Sequence, residues 1–145
     1  MKYILLFLLI FTGQPEAKGA KNKLYGALFV DEVVSIYDGD TFKVNIKNLH
    51  PLLGERINIR VSGVDTPEIK GKCELEKKLA RKAKQITVSF LRAAKYIELR
   101  NVKRGKYFRI VADVYADNES LTQVLLRSGY AVAYSGKKKN KNWCL

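Results

Sequence analysis

Residues 29–46 read FVDEVVSIYDGDTFKVNI, two β-rich runs that meet at Asp38-Gly39-Asp40. Asp-Gly between runs of Val, Ile, Phe and Thr is a strong hairpin signal, because both residues tolerate the backbone conformations of a tight turn. The fold is therefore expected to start as an antiparallel pair of strands. The turn also poses a chemical question. The chain carries 27 Lys and Arg against 14 Asp and Glu, a formal charge of +13, yet it places two carboxylates together here. Ordinary turn chemistry accounts for them, and so does a cation held nearby.

The elements that follow narrow the architecture. HPLLGE, with its Pro and Gly, interrupts the strands. RINIRVSGV, residues 56–64, alternates Ile57, Ile59 and Val61 against Arg56, Asn58, Arg60 and Ser62, the pattern of a half-buried strand. DTPEIKGK is a loop. From Glu74 to Ala94 a helix is expected, with Leu75, Leu79, Ala83, Ile86 and Phe90 as its apolar stripe and a Lys- and Arg-rich opposite face. KYIELRNV is a strand, KRGKYF a turn, and RIVADVYAD a strand with Ile110, Ala112, Val114 and Ala116 on one face. NESLTQVLLRSGYA is a short helix, with a capping box at Ser120 and Gln123 and a stop at Gly129. This order predicts an α+β domain. It is a five-stranded OB-type Greek-key β-barrel with a long helix between strands 3 and 4 and a short helix after strand 5. Such a fold leaves function open.

The first 19 residues read differently. Lys2 precedes the apolar run Tyr3 to Phe11, and small and polar residues follow. That is the layout of a secretory signal peptide cleaved near Ala17–Ala20. The run is too short for a bilayer, which needs about 20 apolar residues. Residues 1–19 are expected to be removed, leaving residues 20–145 as one domain, exported to a periplasmic or extracellular location. The chain would stay tethered to the membrane if the segment were not cleaved. Losing Lys2, Lys18 and Glu16 lowers the charge only from +13 to +12. A field of that size attracts polyanions such as nucleic acid. The two cysteines, Cys73 and Cys144, are expected to pair in an oxidising compartment. The single histidine, His50, rules out chemistry that needs a histidine pair.

The end of the 56–64 strand adds Asp65, Thr66 and Glu68 to Asp40 and Arg60. In a barrel these strand ends can converge. Two carboxylates with a carbonyl and water make a site for a hard divalent cation. Each acid alone reads more readily as a turn or loop residue, and Arg60 and Arg109 as solvated surface, so the residues by themselves end at a candidate metal site.

DGDT, then IRVSGVDTPE, then KYFRIVADVYAD, in this order and at this spacing, resemble the staphylococcal nuclease-like (thermonuclease) family from about Val33 to Tyr134. The resemblance implies that Asp40, Asp65 and the Thr66 backbone carbonyl bind Ca²⁺. It places Glu68 as general base and Arg60 and Arg109 on the scissile phosphate. Lys106 and Tyr107 match groups near the terminal phosphate, and Tyr134 a group that stacks on a base. The segment NLHPLLGE is an insertion relative to the staphylococcal enzyme, and only eleven residues follow Tyr134, so that enzyme's long last helix is missing.

The implied function is an exported, Ca²⁺-dependent nuclease. It cuts DNA and RNA with little sequence choice and leaves 3′-phosphate ends. A monomer without a stable membrane span is expected. A non-catalytic nucleic-acid-binding barrel is the alternative, and a cationic protein that binds acidic envelope polymers is a third. The basic helix face (Lys77, Lys78, Arg81, Lys82, Lys84) and the tail (Lys137, Lys138, Lys139, Lys141) are expected to add non-specific attraction for phosphates.

Overall fold

The computed structural model describes residues 23–145; the expected signal peptide lies outside the described residues. Strands β1 (Leu28–Val30) and β2 (Glu32–Ile36) are consecutive, with Asp31 between them. The Asp38–Asp40 turn leads to β3 (Thr41–Asn45), and α1 (Pro51–Gly54) precedes β4 (Ile57–Val61). A turn at Gly63 leads to the two-residue β5 (Val64–Asp65), and α2 (Glu74–Ala93) follows. Next come β6 (Ile97–Arg104), β7 (Ile110–Ala116), β8 (Glu119–Ser120), α3 (Leu121–Arg127) and β9 (Val132–Ala133).

The main sheet runs β1-β6-β7-β4-β3-β2, with β8 on β7, while β5 and β9 form a separate pair. All pairings are antiparallel except β4 with β7. The two ends of the path, β1 and β2, are neighbours in the chain. The sheet must therefore curl until its edges meet near Asp31, which is the OB-type closure. Asp31 is tied into that corner: its N–H donates to the Asn45 carbonyl (3.0 Å) and its carboxylate accepts from Lys47 N–H (2.6 Å). The expected first strand is thus split at Asp31, and the short pairings of β5, β8 and β9 are additions.

Alternation places the core. Phe42 and Val44, Ile57, Ile59 and Val61, Leu99, and Ala112 and Val114 point inward and are buried. Leu121 and Leu125 of α3 and Leu91 of α2 complete the same cluster. The expected caps are present: Ser120 Oγ accepts from Gln123 N–H (3.4 Å), and Gly129 ends α3 at φ +75°. HPLLGE, read as a plain interruption, contains α1. His50 caps it, its Nδ1 accepting from Leu52 N–H (3.2 Å). The chain's one histidine thus serves local structure.

The buried face of α2 shares only Ala83 with the expected stripe, though Ile86 and Phe90 still pack against the core. Leu75 is exposed, and Leu79, Ile86 and Phe90 are only half-buried. The residues that face inward are Glu76, Ala80, Ala83, Thr87 and Leu91. The reason is contact distance. An added Cβ at Gly39 would lie 2.8 Å from Ala83 Cβ, so α2 rides directly on the Asp38–Asp40 turn and needs small side chains there. Glu76 and Thr87 are tolerated at buried positions because backbone groups pair with them.

Candidate active site

Register brings the acidic turn to Arg60. β3 pairs with β4 as Thr41↔Arg60, and Val61 N–H donates to the Asp40 carbonyl (2.8 Å). The turn is held from the other side by Thr87, whose Oγ1 donates to the Gly39 carbonyl (2.6 Å). Two residues past the Gly63 turn, β5 carries Asp65 inward. Its pairing with β9, Asp65↔Val132, fixes that strand end.

Asp38, Asp40, Asp65 and Thr66 are all buried. Arg60 joins the two strand ends: Nη1 is paired with Asp40 Oδ1, and Nη2 lies 3.0 Å from Asp65 Oδ1. Asp40 Oδ2 accepts from the Thr66 N–H (2.9 Å) and the Thr66 hydroxyl (3.0 Å), and Asp40 Oδ1 from the Thr41 hydroxyl (2.9 Å). Burial pushes the Asp40 carboxyl above its usual range, while Arg60 and the Thr66 N–H pull it back. Asp38 is pushed up to about 7, first by burial and then by the nearby Asp40 and Glu68 carboxylates. Burial works against the Arg60 charge, but Asp40 and Asp65 hold its pKa above the ordinary value.

Glu68 is brought to the same place, with its side chain 43% exposed. Lys139 of the C-terminal tail reaches both acids, 2.9 Å from Asp65 Oδ1 and 2.6 Å from Glu68 Oε1. The Tyr134 ring centre lies 5.9 Å from the Arg60 guanidinium carbon, within cation–π reach. Its hydroxyl donates to the Lys137 carbonyl (2.6 Å).

Arg109 stands apart. It lines a cavity of about 260 Å³ together with Tyr25, Leu49, Leu53, Ile57 and Phe108. Its Nε is buried without a hydrogen-bond partner among the described residues. Lys106 and Tyr107 lie on the exposed turn before it, where Tyr107 and Phe108 both take positive φ of 55°. Among the described residues, no hydrogen bond or ion pair links these three to the carboxylates.

Asp38, Asp40, Asp65 and Glu68 thus gather around two cations of the protein's own, Arg60 and Lys139. Asp40 and Asp65 both offer an oxygen to the same guanidinium, so a single small cation could be shared between them. The carboxylate surplus and the all-oxygen donor set fit a hard divalent cation. The close group of three metal-ligating side chains among the described residues is a different one, Cys73, Glu76 and Cys144, and it is closed by the Cys73–Cys144 disulfide.

Thr87 and Glu76 escaped the sequence reading, and Lys139 was read only as a tail residue attracting phosphates. Lys139 acts through a long-range contact that no local pattern marks. Thr87 sits where helical periodicity calls for an apolar residue. Glu76 had a signal: Cys73 is the N-cap of α2 and Glu76 stands three residues on, a capping-box spacing with sulfur in place of a hydroxyl. Its carboxylate accepts from Lys72 N–H (2.8 Å) and more weakly from Glu68 N–H (3.4 Å), supporting the loop that carries Glu68.

A curled mixed sheet with buried carboxylates bridged by arginine at its strand ends is an OB-type domain with an acidic site at one rim. A family model for staphylococcal nuclease homologues matches residues 58–143. That is more than half of the 145-residue chain, and the chain belongs to this nuclease family. The match starts after the Asp38–Asp40 turn, which Arg60 and Thr66 join to the matched segment. Nucleic acids are the substrates such membership implies. Among the described residues, no helix is long and apolar enough to cross a membrane.

Proposed function

We propose that the protein is an exported, Ca²⁺-dependent nuclease that hydrolyses DNA and RNA with little sequence preference. The observation that carries this reading is the convergence of buried Asp40 and Asp65 on Arg60 in a chain of a nuclease family. Asp40, Asp65 and the Thr66 carbonyl would hold the cation. Bound there, Ca²⁺ supplies a Lewis acid for a phosphoryl oxygen. Arg60 stays charged and offers a fixed donor fork to the equatorial oxygens, where negative charge grows as water attacks phosphorus. Glu68 takes the proton of that water as general base. The bond to the 5′ oxygen breaks, that oxygen takes a proton from solvent water and leaves as a hydroxyl, and the 3′ side keeps the phosphate.

Arg109 is assigned to the phosphate by family pattern. Lys106 and Tyr107 would meet the terminal phosphate, and Tyr134 a base. The Cys73–Cys144 bond supports export to an oxidising compartment. The second reading is a non-catalytic nucleic-acid-binding barrel, which the chain's formal charge of +13 would serve without any cleavage.

Purified protein is incubated with single-stranded and duplex DNA and with RNA, in Ca²⁺ or in excess chelator. Cleavage is expected in Ca²⁺ alone, and Asp40→Ala should abolish it in a folded protein. Full cleavage in chelator refutes the metal role. Binding without cleavage in either condition establishes the second reading.

A further inference from the structure

The C-terminal tail has no part in the proposed reaction, yet it lies on the site. It is pinned at both ends. β9 leaves the sheet beside Asp65, in the register Asp65↔Val132. At the far end Trp143 is buried, and Cys144 is bonded to Cys73 at the N-cap of α2. Between these anchors Lys139 Nζ contacts Asp65 Oδ1 and Glu68 Oε1, at 2.9 and 2.6 Å. A crevice of about 340 Å³ beside it is lined by Asp65, Tyr134, Lys138 and Lys141 among others.

Asp65 Oδ1 already accepts from Arg60 at 3.0 Å and faces Lys139 at 2.9 Å. A divalent cation on this carboxylate would stand within a few ångströms of the ammonium. Like charges so close repel, and the oxygen cannot serve both at full strength. We propose that Lys139 is a tethered competitor of the divalent cation at Asp65, steadied by its contact with Glu68 and by the Cys73–Cys144 bond that holds it over the site. The inference rests on the reading of Asp40 and Asp65 as cation ligands. An amine held on a short tether acts at an effective concentration in the millimolar range. The competition is therefore independent of protein concentration. It sets the cation affinity below what the carboxylates alone would provide, and it weakens when the tail is released.

The test is a calorimetric Ca²⁺ titration of the wild type, Lys139→Met, the double variant Cys73→Ser/Cys144→Ser, and Asp40→Asn as a site control. Lys139→Met removes two partly exposed ion contacts and should bind Ca²⁺ about three- to tenfold more tightly. The double serine variant should move in the same direction. Linkage requires the converse: bound Ca²⁺ must loosen Lys139. Acetylation of Lys139 in the wild-type protein, read by peptide mass spectrometry, should therefore speed up in saturating Ca²⁺ while that of exposed Lys78 does not. This second readout uses the native protein, so a destabilised variant cannot obscure it. Unchanged or weaker Ca²⁺ binding by Lys139→Met, or Ca²⁺-independent acetylation of Lys139, overturns the competitor role and leaves the nuclease reading standing. Absence of Ca²⁺ binding in both wild type and Lys139→Met overturns both, as does wild-type affinity in Asp40→Asn.

Discussion

Replacing Thr87 by valine isolates one bond that supports the site. Thr87 is fully buried, and its hydroxyl donates to the Gly39 carbonyl at 2.6 Å. Val has nearly the same shape, so the change opens no cavity. It strands a buried carbonyl, which costs about 1–3 kcal/mol. The added apolar carbon offsets about 0.8 kcal/mol of that. A net loss of about 0.2–2 kcal/mol is expected from urea unfolding, with the slope of the transition unchanged. Thr87→Ser is the comparison. It keeps the donor and loses a methyl, so it also costs about 1 kcal/mol, but it should leave the Asp38–Asp40 turn in place. Ca²⁺ affinity separates the two: it should fall in the valine variant and hold in the serine variant. No loss of stability for valine, or a gain, would show that the hydroxyl does not anchor the turn. Equal Ca²⁺ affinity in both variants would show that the anchor does not matter to the site.

The disulfide closes a sequence separation of 71 residues. Cys73→Ser/Cys144→Ser should lose about 4 kcal/mol by the chain-entropy model, and a loss below about 1 kcal/mol in urea unfolding would discard that account. Gly39→Ala would press its Cβ to 2.8 Å from Ala83 Cβ and from Thr66 Cγ2, an overpacking cost of about 1–3 kcal/mol. Ala83→Gly should couple with it in a double-mutant cycle, and simple additivity would refute the contact. For Asp38, the folded carboxyl is raised to about 7 by burial first and neighbouring carboxylates second. The folded state thus keeps a proton that the unfolded chain releases near pH 4. This group's stability is fully present below about pH 4 and is lost as pH climbs through about 7. Cation-free Asp38→Asn should lack that decline in urea midpoints between pH 5 and pH 8, and an identical decline in both proteins would exclude Asp38 as its cause. If the α2 face and tail lysines meet phosphates, DNA affinity should drop steeply with added salt; a flat salt response removes them from the interface.

Much of the fold was legible because its signals are local. Ile57, Ile59 and Val61 alternate and are buried as alternation requires. The Asp-Gly turn and the Ser120 cap act within a few residues. For α2, periodicity identified the helix but not its face. Apolar spacing favoured Leu75 and Leu79 along with Ala83, and of these only Ala83, in close approach to Gly39, is buried. Asp40, Arg60, Asp65 and Glu68 could be named from motif spacing, and the structure brings them together. Arg109 could be named only from the family resemblance; it lines a cavity with Tyr25, Leu49 and Phe108, and among the described residues no hydrogen bond or ion pair joins it to the carboxylates.

What the sequence by itself determined is what a few consecutive residues decide: turn chemistry at Asp38-Gly39-Asp40, alternation in β4 and β7, the caps, and a single choice of cysteine pair. The tertiary structure alone decided which charges meet. Asp40 shares Arg60 with Asp65 because the register Thr41↔Arg60 and the Gly63 turn put two strand ends side by side. Lys139 reaches Glu68 across 71 residues because β9 and the disulfide anchor the tail on either side of it. Coulomb interactions depend on distance in space, and closure of the sheet, rather than order along the chain, sets that distance.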